Sequence, residues 1–236
     1  MFVRSAQFYD AIYAWKDYAE EARRLKALLA ERQLIPGRRS LLDVACGTAA
    51  HAPFLRDDYA YEGLDLDPQM LALARERFPD LPFHRGDMLD FDLGRQFDVV
   101  TCLFSSIAYV KTPQRLEQAT ATMARHVRPG GMLVIEPFVG PQEWQAGRPT
   151  ATFVDRDDLK IARMSVGARE GDIALLDFEY LIATSTGIER FSERHELGLF
   201  TDAHYQRAYN AAGFAVTRDE EGLMGRALYL GFRPRV

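Results

Sequence analysis

Short apolar runs alternate with helical stretches along the first 136 residues of the chain. Apolar residues recur at three- and four-residue spacing over 113–126, which predicts an amphipathic helix. Asp67-Pro68 supplies a helix cap and a first-turn proline ahead of a second helix over 69–77. The candidate strands between such stretches are residues 41–46, 61–66, 81–84, 97–104 and 132–136. This alternation predicts a parallel sheet with helices on both faces.

The pattern changes after Pro137. Polar and apolar residues alternate through Asp177-Phe178-Glu179-Tyr180, as in a half-exposed antiparallel strand. Three successive strands are predicted here, over 160–169, 172–184 and 187–200. A helix and two strands then return to the first pattern, over 202–212, 214–217 and 227–232. We therefore predict one α/β domain over 1–236, with a Rossmann-like, mostly parallel seven-stranded sheet and an inserted antiparallel patch over 140–200.

The N-terminal region predicts a helix over 8–33 with a break in it. Phe8, Ile12 and Trp15 fall on one face at helical spacing, and Pro36-Gly37 ends the helix.

Composition narrows the class of partner. The net charge of −5 argues against nucleic acid, because phosphate binding requires a basic face. No targeting segment is visible, and no apolar run approaches the ~20 residues that span a bilayer. Cys46 and Cys102 form neither a disulfide framework nor a zinc pattern, so we expect no metal and a reduced, cytoplasmic protein. A small molecule is the expected partner.

The segment Leu41–His51 is the first candidate site, because ligands of open α/β sheets bind where the strands end. Small residues at Ala45, Gly47 and Ala49 let a ligand approach the backbone. We expect both alanines to have negative φ and to narrow the pocket slightly. Asp43, inside the apolar strand, could hold a ligand ammonium; the alternative is a tight turn with a capping aspartate.

Two further aspartates follow the next strands. Asp65 lies about 20 residues beyond the small-residue turn, the position from which an acidic side chain binds a ribose diol. Asp87 could accept a hydrogen bond from an adenine amino group, while the amide of Met88 donates to a ring nitrogen. A plain polar loop at 86–90 is the alternative.

These features, taken in order, resemble the class I methyltransferases that use S-adenosylmethionine (SAM). The resemblance is carried by Asp43-Val-Ala-Cys-Gly-Thr48, Gly63-Leu-Asp65, Gly86-Asp-Met88, Phe97-Asp-Val-Val100 and Arg128-Pro-Gly-Gly131. An ordered series of this kind is far more specific than any one motif, and it implies SAM as the cofactor.

The resemblance extends to a narrower family, the nucleotide-aminosugar N,N-dimethyltransferases that make desosamine and mycaminose. It is carried by 41–48, 86–95, Phe104-Ser-Ser-Ile107, Arg169-Glu-Gly171, Leu199-Phe200, Tyr205 and Ala211-Ala-Gly213. It implies N-methylation of a nucleotide-linked aminosugar. The cofactor contacts it implies are Tyr9, Asp43, Ala45, Gly47, Thr48, Asp65, Leu66, Asp87, Met88 and Phe104. The substrate contacts it implies are Ser105, Ser106, Phe138 and Arg226, the last aligning with an arginine that contacts the nucleotide diphosphate.

Tyr109 and Glu136 are the candidate catalytic residues. Both follow strand ends over the expected sulfonium, where a sugar ammonium must lose a proton before it attacks. A neutral tyrosine, with a free pKa near ~10, is a poor base, so we expect Tyr109 to orient the amine. Alternatively, Tyr109 only closes the pocket, and Glu136 acts indirectly, by contacting residues that themselves contact the substrate. His195 and Arg194 could also face substrate, although a lone histidine is more often satisfied in the structure or turned to solvent.

Three other functions stay open at this stage. A methyltransferase acting on oxygen, carbon or a different amine would share the cofactor half. A nicotinamide-dependent oxidoreductase is disfavoured, because the chain lacks Gly-x-Gly-x-x-Gly and carries Asp43 in its first strand. A non-catalytic SAM-binding module is the third. Exposed apolar residues on the insert could form a homodimer.

Overall fold

The computed structural model describes residues 4–32 and 39–235. Seven strands form the first sheet, in the spatial order β10-β11-β5-β4-β1-β2-β3. Their bounds are β1 Arg39–Val44, β2 Tyr59–Asp65, β3 Phe83–Arg85, β4 Phe97–Cys102, β5 Val127–Ile135, β10 Ala215–Asp219 and β11 Leu228–Phe232. The helix end predicted at Pro36-Gly37 lies outside the described residues.

Six strands of this sheet run in the same direction and one, β11, runs against them. Strands β3, β2, β1, β4 and β5 pair in parallel, whereas β11 is antiparallel to both β5 and β10. The predicted Rossmann-like, mostly parallel seven-stranded sheet is confirmed.

The sheet separates two hydrophobic cores. The helices are α1 Tyr9–Ile12, α2 Tyr18–Arg32, α3 Ala52–Leu55, α4 Pro68–Arg77, α5 Pro113–Arg125 and α6 Asp202–Ala211, with 3-10 turns at Ala6–Phe8 and Ser106–Val110. Leu41 faces the core formed by α2, α3 and α4, while the next residue, Leu42, faces the core of α5 and α6. Successive side chains of a strand point to opposite faces, so a strand buried on both sides is apolar throughout. Each such leucine contributes about 1.5–3 kcal/mol by burial.

Asp98 joins three strands at the end of the sheet opposite the strand C-termini. Its carboxylate accepts hydrogen bonds from the amide (2.8 Å) and hydroxyl (2.9 Å) of Ser40 on β1, and it pairs with Arg128 on β5. A Cβ atom at Gly131 would lie 2.7 Å from the carbonyl oxygen of Asp98. The segments 97–100 and 128–131, which belong to the ordered series of motifs, therefore hold the sheet together at the end away from the strand C-termini.

A second sheet of four antiparallel strands lies between β5 and α6 in the chain. Its strands, in the order β6-β7-β8-β9, are Pro149–Asp155, Leu159–Glu170, Ile173–Thr184 and Gly187–Gly198. The last three match the predicted strands. Strand β6 was not predicted, because it begins at a proline and its alternation is confined to Ala151 and Phe153, which alternate with threonines.

The N-terminal segment packs against this second sheet. Helix α1 ends at Ile12 and α2 begins at Tyr18, so the predicted break is real. Phe8 and Ile12 are buried against apolar side chains of the second sheet, while Trp15 is 62% exposed. Trp15 was wrongly placed on their face, because the helix has already ended there. No helix in the described ranges is long and apolar enough to cross a bilayer.

Candidate cofactor and substrate site

Two adjoining cavities lie at the carboxyl ends of β1, β2 and β3. The larger has a volume of about 470 Å³ and the smaller about 40 Å³. Of the predicted residues, the larger is lined by Tyr9, Ala45, Gly47, Asp65, Leu66, Asp87, Met88, Ser106 and Tyr109. Asp43, Thr48 and Phe104 line the smaller one, which shares Tyr9, Ala45, Gly47 and Ser106 with the larger. The topology thus brings twelve predicted residues to one place.

The turn after β1 is left-handed at three alternate residues. Ala45, Gly47 and Ala49 have φ of 59°, 56° and 57°. The expectation of negative φ at the alanines was wrong, because the bend of the chain between β1 and α3 requires the left-handed conformation whichever residue is present. Each alanine accepts a conformation that costs about 1–2 kcal/mol.

Asp65 holds the turn from the neighbouring strand. One carboxylate oxygen accepts from the amide of Gly47 and the other from the amide of Asp67, each at 2.8 Å. Burial raises the pKa of Asp65. Asp67 caps α4 by accepting from the amide of Gln69 at 2.8 Å, as predicted. In the next loop, Asp87 accepts from the amide of Leu89 at 3.0 Å.

Asp43 is buried within β1 and has two hydroxyl partners. Its carboxylate accepts from Tyr61 at 2.9 Å and from Thr101 at 2.8 Å. Burial raises its pKa. These partners offset the cost of placing a carboxyl group in an apolar strand, and they aim it at the smaller cavity.

The N-terminal segment covers both cavities. Asp10 accepts a hydrogen bond from the Thr48 hydroxyl at 2.7 Å and pairs with Arg77. Tyr9 lines both cavities, and burial raises the pKa of its hydroxyl, which keeps it neutral. Asp10 belongs to no recognised motif and was not predicted, because only its contacts with Thr48 and Arg77 in the folded chain show that it anchors this segment.

Glu136 lies behind the cavity wall. Its side chain is fully buried, accepts from the amide of Phe104 at 2.6 Å and lies 3.3 Å from the guanidinium of Arg226. Arg226 also donates to the Ser105 hydroxyl at 3.0 Å, and that hydroxyl donates to a backbone carbonyl at 2.9 Å. Phe138 packs against Trp144. These four residues, predicted as catalytic or substrate-binding, line neither cavity, because Glu136, Ser105 and Arg226 bind one another behind the wall and Phe138 packs on Trp144.

The second sheet contributes two residues to the larger cavity, of which Arg194 was considered from the sequence and Glu196 was not. Arg194 and Glu196 of β9 line it together with Lys111 and Arg115. Lys111 pairs with Glu196 at 2.5 Å. In the described part of the chain, no group of three or more His, Cys, Asp or Glu side chains is placed to hold a metal ion.

Known proteins resemble the chain over nearly its whole length. A family model described as a methyltransferase domain matches residues 41–131. The dTDP-3-amino-3,4,6-trideoxy-alpha-D-glucopyranose N,N-dimethyltransferase of Streptomyces venezuelae is 40% identical over 97% of this chain and 98% of its own. The dTDP-3-amino-3,6-dideoxy-alpha-D-glucopyranose N,N-dimethyltransferase of Streptomyces fradiae is 41% identical over 96% of this chain and 89% of its own.

Solved structures agree with these relatives. DesVI of Streptomyces venezuelae matches with a TM-score of 0.91 at 40% identity, covering 99% of this chain and 100% of its own. A SAM-bound amino pentose methyltransferase from Micromonospora echinaspora matches with a TM-score of 0.86 at 35% identity, covering 99% and 98%. The chain therefore belongs to the SAM-dependent methyltransferases, in the family that includes these N,N-dimethyltransferases. Its cofactor is SAM.

The residues at the cavity fit this cofactor. The residues that would hold it are Asp65 at the ribose diol, and Asp87 with the amide of Met88 at adenine. The backbone at Ala45 and Gly47 would lie against the cofactor, and Asp43 would face the ammonium of the methionine portion. When bound, SAM supplies a methyl group attached to a positively charged sulfur.

Replacement of Asp65 by asparagine is expected to weaken SAM binding by roughly ten- to a hundredfold, since one amide group cannot accept every hydrogen bond that the carboxylate accepts. Isothermal titration calorimetry with SAM measures this directly. Asp98→Asn is the matched control: it should lower the free energy of unfolding and leave the SAM affinity unchanged. Equal affinity of Asp65→Asn and wild type would remove Asp65 from the cofactor site.

Proposed function

We propose that the protein N-methylates the amino group of a nucleotide-linked aminosugar. The observation that carries this proposal is that the similarity to aminosugar N,N-dimethyltransferases continues through β7, β8 and β9, so that it includes the cavity wall as well as the cofactor half. In the reaction, the nitrogen lone pair forms the new bond to carbon as the carbon–sulfur bond breaks. The displaced electron pair stays on sulfur, and the proton leaves the nitrogen to water.

The protein's own contribution is to bind, orient and exclude water. We propose that Tyr109, which lines the larger cavity, contacts the amine. For Glu136 we propose a positioning role, since its oxygens are already bound to the Phe104 amide and Arg226. We also propose that residues 1–236 act as one domain in which 140–200 cover the substrate.

The purified protein is expected to transfer labelled methyl groups from SAM to a dTDP-linked 3-aminosugar. Mass spectrometry of the product counts the methyl groups added. The matched control is the same nucleotide sugar with a hydroxyl in place of the amine. Turnover of the hydroxyl sugar, or of a phenol or carboxylate, with none on the amine would favour an oxygen-methylating enzyme. SAM binding without turnover on any acceptor would favour a non-catalytic module.

Arg226 is proposed to serve the nucleotide diphosphate. Its guanidinium is partly exposed and already bridges Ser105 and Glu136, so it presents positive charge beside the cavity wall. Arg226→Ala is expected to raise KM for the nucleotide-linked sugar by about tenfold, the loss of one charge-assisted hydrogen bond, and to leave KM for the free aminosugar unchanged. Arg207→Ala, which removes an exposed arginine paired with Glu117 on the surface, is the control. An unchanged KM would remove Arg226 from the substrate site.

We propose a cytoplasmic, reducing location and no nucleic-acid partner. Both cysteines, Cys46 and Cys102, are free thiols, and Cys102 is buried. The net charge of −5 opposes binding to a phosphate backbone.

We also propose that a second copy of the chain covers the outer face of the four-stranded sheet. Phe153, Met164, Val166 and Leu181 are each at least half exposed on that face. Ion pairs between Arg190 and Glu179 and between Arg194 and Asp177 flank them. An apolar centre with a charged margin suits a two-fold interface.

The oligomeric state tests this interface. Met164→Lys is expected to shift the protein from dimer to monomer in sedimentation velocity, because it places a charge in the apolar centre. Phe54→Lys, at an exposed apolar residue of α3, is the control and should leave the dimer intact. A monomeric wild-type protein would refute the proposal.

A further inference from the structure

Tyr109 reaches out of the cavity wall to a buried histidine. Its hydroxyl lies 2.5 Å from Nδ1 of His195. Tyr109 belongs to the 3-10 turn after β4 and lines the larger cavity, whereas His195 belongs to β9 and is only 2% exposed. This hydrogen bond thus joins the turn after β4 to the second sheet, directly beside the space where we place the substrate amine.

A buried carboxylate near His195 favours one direction of that hydrogen bond. The other ring nitrogen, Nε2, lies 3.8 Å from the carboxylate of Glu193. Glu193 is buried and accepts hydrogen bonds from the amides of Arg4 (2.6 Å) and Ser5 (3.0 Å) and from the Ser5 hydroxyl (2.5 Å). A carboxylate attracts the imidazole proton to Nε2 and would repel a lone pair there. This contact favours the tautomer with its lone pair on Nδ1, to which the Tyr109 hydroxyl then donates.

Both partners are neutral at pH 7. Burial raises the pKa of Tyr109 and lowers the pKa of His195 to about 4. The nearby guanidinium of Arg163, bound to the hydroxyls of Tyr13 and Thr152, also opposes a positive charge on His195. A tyrosine that keeps its proton cannot accept another, and a histidine with a lowered pKa is a weak base, so neither group suits removal of the amine's proton.

We propose that His195 is a positioning residue that turns Tyr109 into a hydrogen-bond acceptor toward the cavity. The phenol of Tyr109 has one proton, and it donates that proton in the hydrogen bond to His195. The oxygen then has only lone pairs to offer to whatever occupies the cavity. This inference rests on the proposed function for the identity of the substrate, but the direction of the hydrogen bond does not.

An acceptor at this point selects groups that carry an N–H. A primary amine and its monomethyl product each have an N–H to donate, whereas a neutral dimethylated amine has none. The same contact thus serves two successive methylations and is lost after the second. A carbonyl or an ether at the same sugar carbon, which can only accept, would set two lone-pair oxygens against each other.

Nitrogen NMR of histidine-labelled protein tests the direction of the bond without substrate. We expect His195 to be protonated on Nε2 and not on Nδ1 between pH 6 and 8, and its Nδ1 shift to move in Tyr109→Phe as the donor disappears. His195→Asn assigns the resonances. A proton on Nδ1 in the wild type would overturn the proposal whatever the substrate proves to be.

Binding then tests the consequence for selectivity. In the presence of S-adenosylhomocysteine, the wild type should bind a nucleotide-linked aminosugar at least about tenfold more tightly than the same sugar with a carbonyl in place of the amine. In His195→Leu the phenol is free to donate, so the ratio should fall to within about threefold.

His195→Asn keeps an acceptor near the position of Nδ1, so this variant should retain the wild-type ratio of affinities. If the histidine had only a structural role, asparagine would not be expected to preserve that ratio. Affinity for S-adenosylhomocysteine should be equal in all three proteins, and this confirms that each is folded. A ratio unchanged in His195→Leu would overturn the proposal. If neither sugar binds the wild type, the proposed function fails, and the NMR result still decides the direction of the bond.

Discussion

The buried carboxylate of Glu193 connects the parts of the protein that enclose the cavities. It binds the amides of Arg4 and Ser5, which start the N-terminal segment, and it faces His195, which binds Tyr109. A carboxylate taken out of water costs several kcal/mol unless donors surround it. The donors that satisfy this one come from the segment that covers the cavities. The need to satisfy this charge therefore links the covering segment to the second sheet, beside the apolar packing of Phe8 and Ile12 on the same sheet.

Backbone strain in the described residues is concentrated in two turns beside the cavities. Among the described residues, five non-glycine residues have positive φ: Ala45, Ala49, Phe104, Ser105 and Lys111. All of them lie in the turns that follow β1 and β4. Such conformations cost of order 1–3 kcal/mol each and persist only where surrounding contacts enforce them. Here the enforcing contacts include the Gly47 amide on Asp65 and the Phe104 amide on Glu136.

The acidic residues of the sequence series divide by their position along the strands. Asp65 and Asp87 follow the carboxyl ends of β2 and β3 and line the larger cavity, while Asp43 near the end of β1 faces the smaller one. Asp98, at the other end of β4, ties β1 to β5 and stabilises the sheet. The series therefore combines residues that line the cavities with a residue that holds the sheet together. The distance of each residue from the strand's carboxyl end separates the two roles.

The sequence by itself determined the parallel sheet, the three strands of the insert that show apolar alternation, and the residues at strand ends that line the two cavities. These features are local, because hydrophobic periodicity, cap residues and strand ends each depend on residues that are neighbours in the chain. The left-handed alanines were not predictable, because alanine has no intrinsic preference for positive φ. Strand β6 was missed because its alternation is confined to Ala151 and Phe153.

Only the tertiary structure decided which of the remaining residues touch the site. Glu136 and Arg226 contact each other behind the cavity wall. Glu196 lines the larger cavity, whereas Asp10 and His195 bind residues that line the cavities, Thr48 and Tyr109. Their partners lie 38 to 90 residues away. A contact across that separation depends on how the two sheets and the N-terminal segment pack, and no local pattern encodes it.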